Sequence, residues 1–146
     1  MFTDIYTSDI LALTATLGNG RLDDPDGTAR KVSKLCGSWL EIDVNVKNGK
    51  VTECALRVQA CALGQASAAI LRENIIGATY REIKAARDEL NAMLKEGDTP
   101  PTGRFEKLTL LSGVKDYPAR HASTMLAFDT AVQAFRFTQA PSSGPE

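Results

Sequence analysis

A paired alternating pattern between residues 40 and 59 constrains the fold of this chain more than any other feature. Its first half alternates apolar with polar residues, as a strand with one buried face does, at Leu40, Ile42, Val44 and Val46. Asn48-Gly49 follows, and this dipeptide favours a type I′ turn because both positions take a positive φ. A partner strand is expected from Val51 to about Gln59. The pattern therefore predicts an antiparallel hairpin.

The polar face of the first hairpin strand carries two carboxylates, Glu41 and Asp43. Alternation places them opposite the apolar residues of the strand. We therefore expect both to face solvent and not to form a catalytic pair.

Most of the remaining chain has helical periodicity, with punctuation by Gly and Pro. The spacing predicts an amphipathic helix over residues 3–17, a short strand over 29–35, helices over 61–77, 79–97 and 105–114, and a long final helix from Pro118. Strands followed by helices are typical of the α+β class. We expect a three-stranded antiparallel sheet with helices packed on one face, forming one domain over residues 1–140. Residues 141–146 are expected to be a disordered tail.

Composition narrows the function classes. The chain has 146 residues and a formal net charge of -1, so it has no overall basic surplus for nucleic acid or acidic membranes. No apolar stretch approaches the roughly 20 residues of a membrane span. The start, Met1-Phe2-Thr3-Asp4, lacks the basic and apolar segments of a signal peptide. We expect a cytoplasmic protein with no nucleic-acid or membrane partner.

The chain has three cysteines, Cys36, Cys54 and Cys61. An odd number of cysteines in a chain expected to be cytoplasmic argues against a disulfide framework. Cys54 falls on the apolar face of the second hairpin strand, so we expect it to pack in the core. Cys36 lies just before the first hairpin strand and Cys61 at the start of a helix. Free N–H groups at a helix N-terminus favour thiolate over thiol. These two residues are either metal ligands or reactive thiols, or else small buried hydrophobic side chains.

Three separate segments now match one family: Leu35-Cys36-Gly37-Ser38 before the hairpin, Ala60-Cys61-Ala62-Leu63-Gly64-Gln65-Ala66-Ser67 at the first core helix, and Val114-Lys115-Asp116-Tyr117-Pro118-Ala119-Arg120-His121-Ala122-Ser123 before and within the last helix. With these segments, the chain resembles the U-type iron–sulfur cluster assembly scaffolds, the NifU-like and IscU-like proteins and their SufU branch. The resemblance extends from the N-terminal helix to about residue 136.

The resemblance implies a platform on which a [2Fe–2S] cluster is built, or iron or zinc is held, by three cysteines and an aspartate. Thiolates suit iron and zinc because they are soft, anionic donors. Cys36 and Cys61 match the first two cysteines, whereas Ser38 occupies the aspartate position and Ser123 the third cysteine position. Hydroxyls are poor ligands for these metals. The loss of these two anionic ligands is expected to weaken metal binding by several kcal/mol, out of about 10–16 kcal/mol for a structural zinc site.

His121, the only histidine, is a candidate replacement ligand next to Ser123. The two residues are separated by about 200° around a helix, at about 100° per residue, which counts against easy substitution. The metal-site candidates are therefore Cys36, Cys61, His121, Ser123 and Ser38.

The predicted function is a scaffold-like protein that binds iron, zinc or a [2Fe–2S] cluster through Cys36 and Cys61. The implied partners are a cysteine desulfurase that donates sulfur and proteins that accept the cluster; the oligomeric state stays open. No turnover chemistry is required, so the protein is not expected to be an enzyme. The alternative is a degenerate relative that holds no cluster and acts as a sulfur acceptor or partner-binding module. Another thiol chemistry or a purely structural role is the third possibility.

Overall fold

The structure is a computed structural model that describes residues 7–34, 37–97 and 100–139. Within these ranges the elements are α1 (Ser8–Thr16), β1 (Gly27–Val32), β2 (Trp39–Lys47), β3 (Lys50–Gln59), α2 (Ala62–Asn74), α3 (Tyr80–Glu96), a 3₁₀ segment (Gly103–Asp116), a 3₁₀ turn (Pro118–Arg120) and α4 (His121–Gln139). The three strands form one antiparallel sheet in the order β1-β2-β3. The predicted α+β fold with a long C-terminal helix is confirmed. The predicted tail 141–146 lies outside the described residues.

Two helix starts differ from the prediction. Thr7 is extended and its hydroxyl accepts a hydrogen bond from the Ile10 N–H, so α1 begins at Ser8 and not at residue 3. Pro118 begins a 3₁₀ turn, and regular α-helix starts only at His121. By contrast, the helix predicted from residue 79 starts there: Thr79 is the N-cap of α3 and forms a capping box with Glu82.

The β2–β3 hairpin has the predicted turn and an unpredicted bulge. Asn48 and Gly49 have φ values of 56° and 77°, as a type I′ turn requires. Val46 pairs with Val51, but the register shifts beyond that pair, and Val44 lies opposite Cys54. The extra residue in β3 turns Val51 and Cys54 toward the same face although they are three positions apart. The bulge therefore keeps both strands facing one core.

The helices cover one face of the sheet. Helix α4 packs across β1 and β2, with α2 and α3 also packed against it. A Cβ added at Gly27 would lie 2.3 Å from the Ala134 carbonyl oxygen, so β1 meets α4 too closely for any side chain. No helix in the described ranges combines the length and the apolarity needed to cross a bilayer.

Glu41 and Asp43 lie on the opposite face of the sheet. The prediction that both side chains face solvent is wrong for Asp43. Asp43 is only 3% exposed. Its carboxylate accepts hydrogen bonds from both terminal nitrogens of Arg57, at 3.0 Å each, and from the Leu22 N–H. Arg57 also donates to the Gly20 carbonyl at 2.7 Å. The loop between α1 and β1 thus folds over this face and removes Asp43 from water, while Glu41 stays partly exposed and pairs with Arg57.

Candidate metal centre

Cys61 is the N-cap residue of α2, directly after the end of β3. Its backbone is extended, at φ -66° and ψ 170°, and its side chain makes no capping hydrogen bond. The side chain is half-buried. The adjacent Ala60 carbonyl accepts a hydrogen bond from the Gln65 side-chain amide at 2.8 Å, which fixes the chain before the cysteine. The Cys61 sulfur therefore lies at the N-terminus of α2 and is available for other contacts, because it does not cap the helix.

Ser123, 62 positions later in the chain, is in contact with Cys61. The Cys61 Sγ and Ser123 Oγ atoms are 3.0 Å apart, and either can be the donor. Ser123 is 1% exposed. The contact requires α2 and α4 to approach closely at Gly64, where an added Cβ would lie 3.1 Å from the Ser123 hydroxyl oxygen. The absence of a side chain at Gly64 therefore lets the two helices pack closely at this point.

Ser38 lies at the same end of the sheet as Cys61. It is buried, and its carbonyl accepts a hydrogen bond from the Ser33 N–H at 2.7 Å, which closes the β1–β2 connection. The next residue, Trp39, pairs with Gln59, two positions before Cys61. Cys36 belongs to this connection in sequence but lies outside the described residues, so its pairing with Cys61 stays a prediction.

His121 has its described contacts away from Cys61. Its Nε2 atom lies 3.0 Å from the Val114 carbonyl oxygen and 3.2 Å from that of Lys115. Because carbonyls only accept hydrogen bonds, Nε2 carries the hydrogen, and Nδ1 is the nitrogen left to bind a metal. The side chain lines a cavity between α3 and α4. Asp129 also lines this cavity, and it is not among the predicted site residues. The signal in the sequence was a carboxylate inside an apolar helical run.

Cys54 is packed against the core, as predicted. Burial raises the pKa of the Cys54 thiol to about 12, so it stays protonated near neutral pH. Cys54 is therefore unsuited to bind a metal, and it provides a matched control for the other two cysteines.

No group of three or more His, Cys, Asp or Glu residues is arranged to hold a metal within residues 7–34, 37–97 and 100–139. Of the predicted set, the structure brings together Cys61 and Ser123, and it places Ser38 at the same sheet end. A complete ligand set would need Cys36 or a donor from a partner.

Comparison with known proteins connects this arrangement to one family. The family model of the NifU-like N terminal domain matches residues 6–124. The chain is 30% identical over 122 residues to the iron-sulfur cluster assembly scaffold protein IscU of Thermotoga maritima, which covers 84% of this chain and 85% of that protein. It is 23% identical over 118 residues to the protein of the same name from Streptococcus pyogenes serotype M1, covering 81% and 74%.

Solved structures agree with the sequence comparison. The crystal structure of a nitrogen-fixing NifU-like protein (N-terminal) from Brucella abortus superposes with a TM-score of 0.92 at 43% identity, covering 94% of this chain and 96% of that one. A putative scaffold for the SUF system from Fervidobacterium islandicum AW-1 shares the fold, with a TM-score of 0.83 at 21% identity over 91% and 98% of the two chains. This chain therefore belongs to the family of NifU-like N-terminal domains.

Proposed function

We propose that this protein is an iron–sulfur cluster assembly scaffold that holds iron or a nascent [2Fe–2S] cluster as cargo through Cys36 and Cys61. Membership of the NifU-like family supports the general role, as do relatives named as assembly scaffolds. The observation that carries the proposal is the 3.0 Å contact between Cys61 Sγ and Ser123 Oγ. These are the second and third ligand positions implied by the resemblance, and they adjoin each other in the fold.

The local chemistry suits sulfur and iron at Cys61. Cys61 lies at the N-terminus of α2, where the free N–H groups attract anionic ligands, and the Ser123 hydroxyl is in hydrogen-bonding contact with its sulfur. With serine at positions 38 and 123, the site has fewer anionic donors than the family pattern. A weaker hold on the cargo follows, and this favours handing it on to an acceptor protein. The partners proposed are a cysteine desulfurase and cluster acceptors in the cytoplasm.

Anaerobic reconstitution of the full chain with ferrous iron and sulfide tests this proposal. Iron and sulfide content and visible absorbance are measured for the wild type and for Cys36→Ala, Cys61→Ala and Cys54→Ala. We expect the first two variants to lose the bound cluster, because each removes a thiolate ligand. Cys54→Ala should retain it, since that thiol is packed in the core. If both Cys36→Ala and Cys61→Ala bind as much cluster as the wild type does, Cys36 and Cys61 are not its ligands.

A second candidate function is a sulfur acceptor or partner-binding module without a cluster. It is favoured by the buried, neutral Ser38 and Ser123 and by the lack of a three-ligand group in the described part of the chain. A colourless, metal-free wild-type product after reconstitution would support it. In that case, incubation with a cysteine desulfurase and cysteine should add one sulfur atom to Cys61, detected by mass spectrometry of its peptide.

A further inference from the structure

A long groove runs between α3 and α4, on a different side of α4 from Ser123. It consists of two cavities of about 610 and 300 Å³ that adjoin at Arg87 and Asp129. Its length follows α4 from His121 to Phe137, which is about 24 Å at 1.5 Å per residue. An extended peptide of about seven or eight residues spans that distance at roughly 3.3 Å per residue.

Cations lie at both ends of the groove. Lys95 lines the first cavity, whereas Lys31 and Arg136 line the second, and all three are exposed. In the part of the chain that the structure describes, none of the three forms an ion pair; Arg136 makes only a 3.4 Å contact to the Tyr80 hydroxyl. The lining of the groove has four cations, Arg87 among them, against the two carboxylates of Asp88 and Asp129. The groove therefore offers a net positive charge to a ligand, on a chain whose net charge is -1.

The floor of the groove offers hydrogen-bond acceptors without donors. The Gln133 Oε1 atom is buried and, among the described residues, has no hydrogen-bond partner. Asp129, one turn earlier on α4, makes no salt bridge within the described residues; burial raises the pKa of its carboxyl, although the charges of Arg87 and Lys31 nearby act to lower it. Buried acceptors without partners are unfavourable. The backbone N–H groups of an extended peptide are donors of the kind that these oxygens lack.

The second cavity also has apolar lining. Phe137 is 42% exposed and lines this cavity together with Val132. An apolar side chain of a ligand can therefore be buried in this cavity while its acidic side chains meet the cations.

We propose that the α3–α4 groove is a docking site for an extended, acidic peptide segment of a protein partner. The buried Gln133 amide would turn toward the groove, and the peptide backbone would then donate to it and to Asp129. The acidic side chains of the peptide would pair with Lys31, Lys95 and Arg136, and an apolar residue would contact Phe137. The inference does not depend on cluster binding at Cys61, because the cations and acceptors that it uses are not candidate ligands; His121, which is one, only lines an end of the groove.

Selection from a phage-displayed library of random octapeptides tests the proposal on the full chain. Selected peptides are synthesised, and their binding to the wild type and to a K31E/K95E double variant is measured by fluorescence anisotropy. We expect acidic sequences that contain an apolar residue. We also expect K31E/K95E to bind them about tenfold more weakly, because two ion pairs are lost and the reversed charges repel the acidic side chains. The matched control K47E/K50E, with both exposed lysines on the β2–β3 hairpin, should bind them as the wild type does.

A second variant distinguishes the contribution of the Gln133 acceptor from that of the exposed cations. Gln133→Leu removes an acceptor without changing charge, so it should weaken binding while leaving the salt dependence unchanged. Circular dichroism of each variant confirms that it is folded.

Four results would overturn the proposal. The enriched peptides could lack acidic residues, or K31E/K95E could bind them as tightly as K47E/K50E does. A single-stranded oligonucleotide could displace them with equal affinity, which would indicate a nucleic-acid surface. Binding only to a variant that ends at Gln139 would instead identify residues 140–146 of this chain as the occupant.

Discussion

Position 123 of this chain is a serine, whereas the family resemblance implies a cysteine ligand there. The Ser123 oxygen is already in contact with the Cys61 sulfur, and its side chain is buried on the α2–α4 interface. The backbone therefore holds a side chain of this size where a third ligand would be needed. What the site lacks at this position is the anionic donor atom.

Ser123→Cys should strengthen metal binding. A thiolate at this position adds a soft anionic donor beside Cys61, so we expect iron or zinc retention during chelator challenge to improve by about tenfold or more. Metal content is measured anaerobically, which prevents a disulfide between Cys61 and the introduced thiol. Ser123→Ala is the control and should retain no more metal than the wild type. Equal retention by Ser123→Cys and Ser123→Ala would show that this position does not face the metal.

Asp43→Asn should destabilise the protein in a pH-dependent way. Burial by itself would raise the pKa of the Asp43 carboxyl, but hydrogen bonds from Arg57, the Leu22 N–H and Thr28 outweigh it and lower the pKa below its ordinary value of 3.8. A lowered pKa in the folded state gives stability that is present above the unfolded value and is lost as pH falls through the folded value. At pH 7 we expect the substitution to cost about 3 kcal/mol, because it breaks a buried pair.

Urea unfolding at several pH values measures this effect. The difference between the wild type and Asp43→Asn should shrink as pH falls below about 4, when the wild-type carboxyl also becomes neutral. Asp88→Asn, which breaks an exposed pair, should cost at most about 1 kcal/mol. A pH-independent difference would contradict a charged Asp43 as the source of the stability.

At the scale of elements, the contact between α2 and α4 positions the candidate site. Cys61 is fixed by the start of α2 and Ser123 by the first turn of α4. Gly64 allows the two helices to approach, since a Cβ there would lie 3.1 Å from both the carbonyl and the hydroxyl oxygen of Ser123. The separation of the two side chains therefore depends on a residue that makes no polar contact with either.

Gly64→Ala should destabilise the protein even though alanine is the better helix former. Helix propensity alone would favour alanine by about 1 kcal/mol. The added methyl overlaps Ala60 and Ser123, and overpacking of this kind costs about 1–3 kcal/mol, so we expect a net loss of stability on that scale. Thermal unfolding measures it, with Gly18→Ala as a control because a Cβ at Gly18 meets nothing within 4 Å. A raised melting temperature for Gly64→Ala would mean that the helices can separate without cost.

At the scale of the whole molecule, α4 connects the sheet to α2 and α3. It packs against β1 and β2 on one side and against α2 and α3 on others, and its residues Phe128 and Phe135 are fully buried. The sheet therefore has no core of its own apart from the helices.

Unfolding should accordingly be one cooperative transition. Trp39, the only tryptophan, reports on the sheet by fluorescence, while far-ultraviolet circular dichroism reports mainly on the helices. We expect the two urea-induced transitions to have the same midpoint and slope. Loss of the Trp39 signal before the helical signal would show instead that the sheet unfolds separately.

The sequence by itself determined the features that depend on near neighbours: the Asn48-Gly49 turn, the capping box at Thr79, the inward face of Cys54 and the order of strands and helices. Such features follow from local backbone preferences and from the periods of strand and helix. Tertiary structure alone decided the bulge in the β2–β3 hairpin, the burial of Asp43 beneath the α1–β1 loop, the contact of Ser123 with Cys61 and the groove along α4. Each of these depends on how distant segments pack, because burial and close approach are set by the whole fold and not by the residues next in the chain.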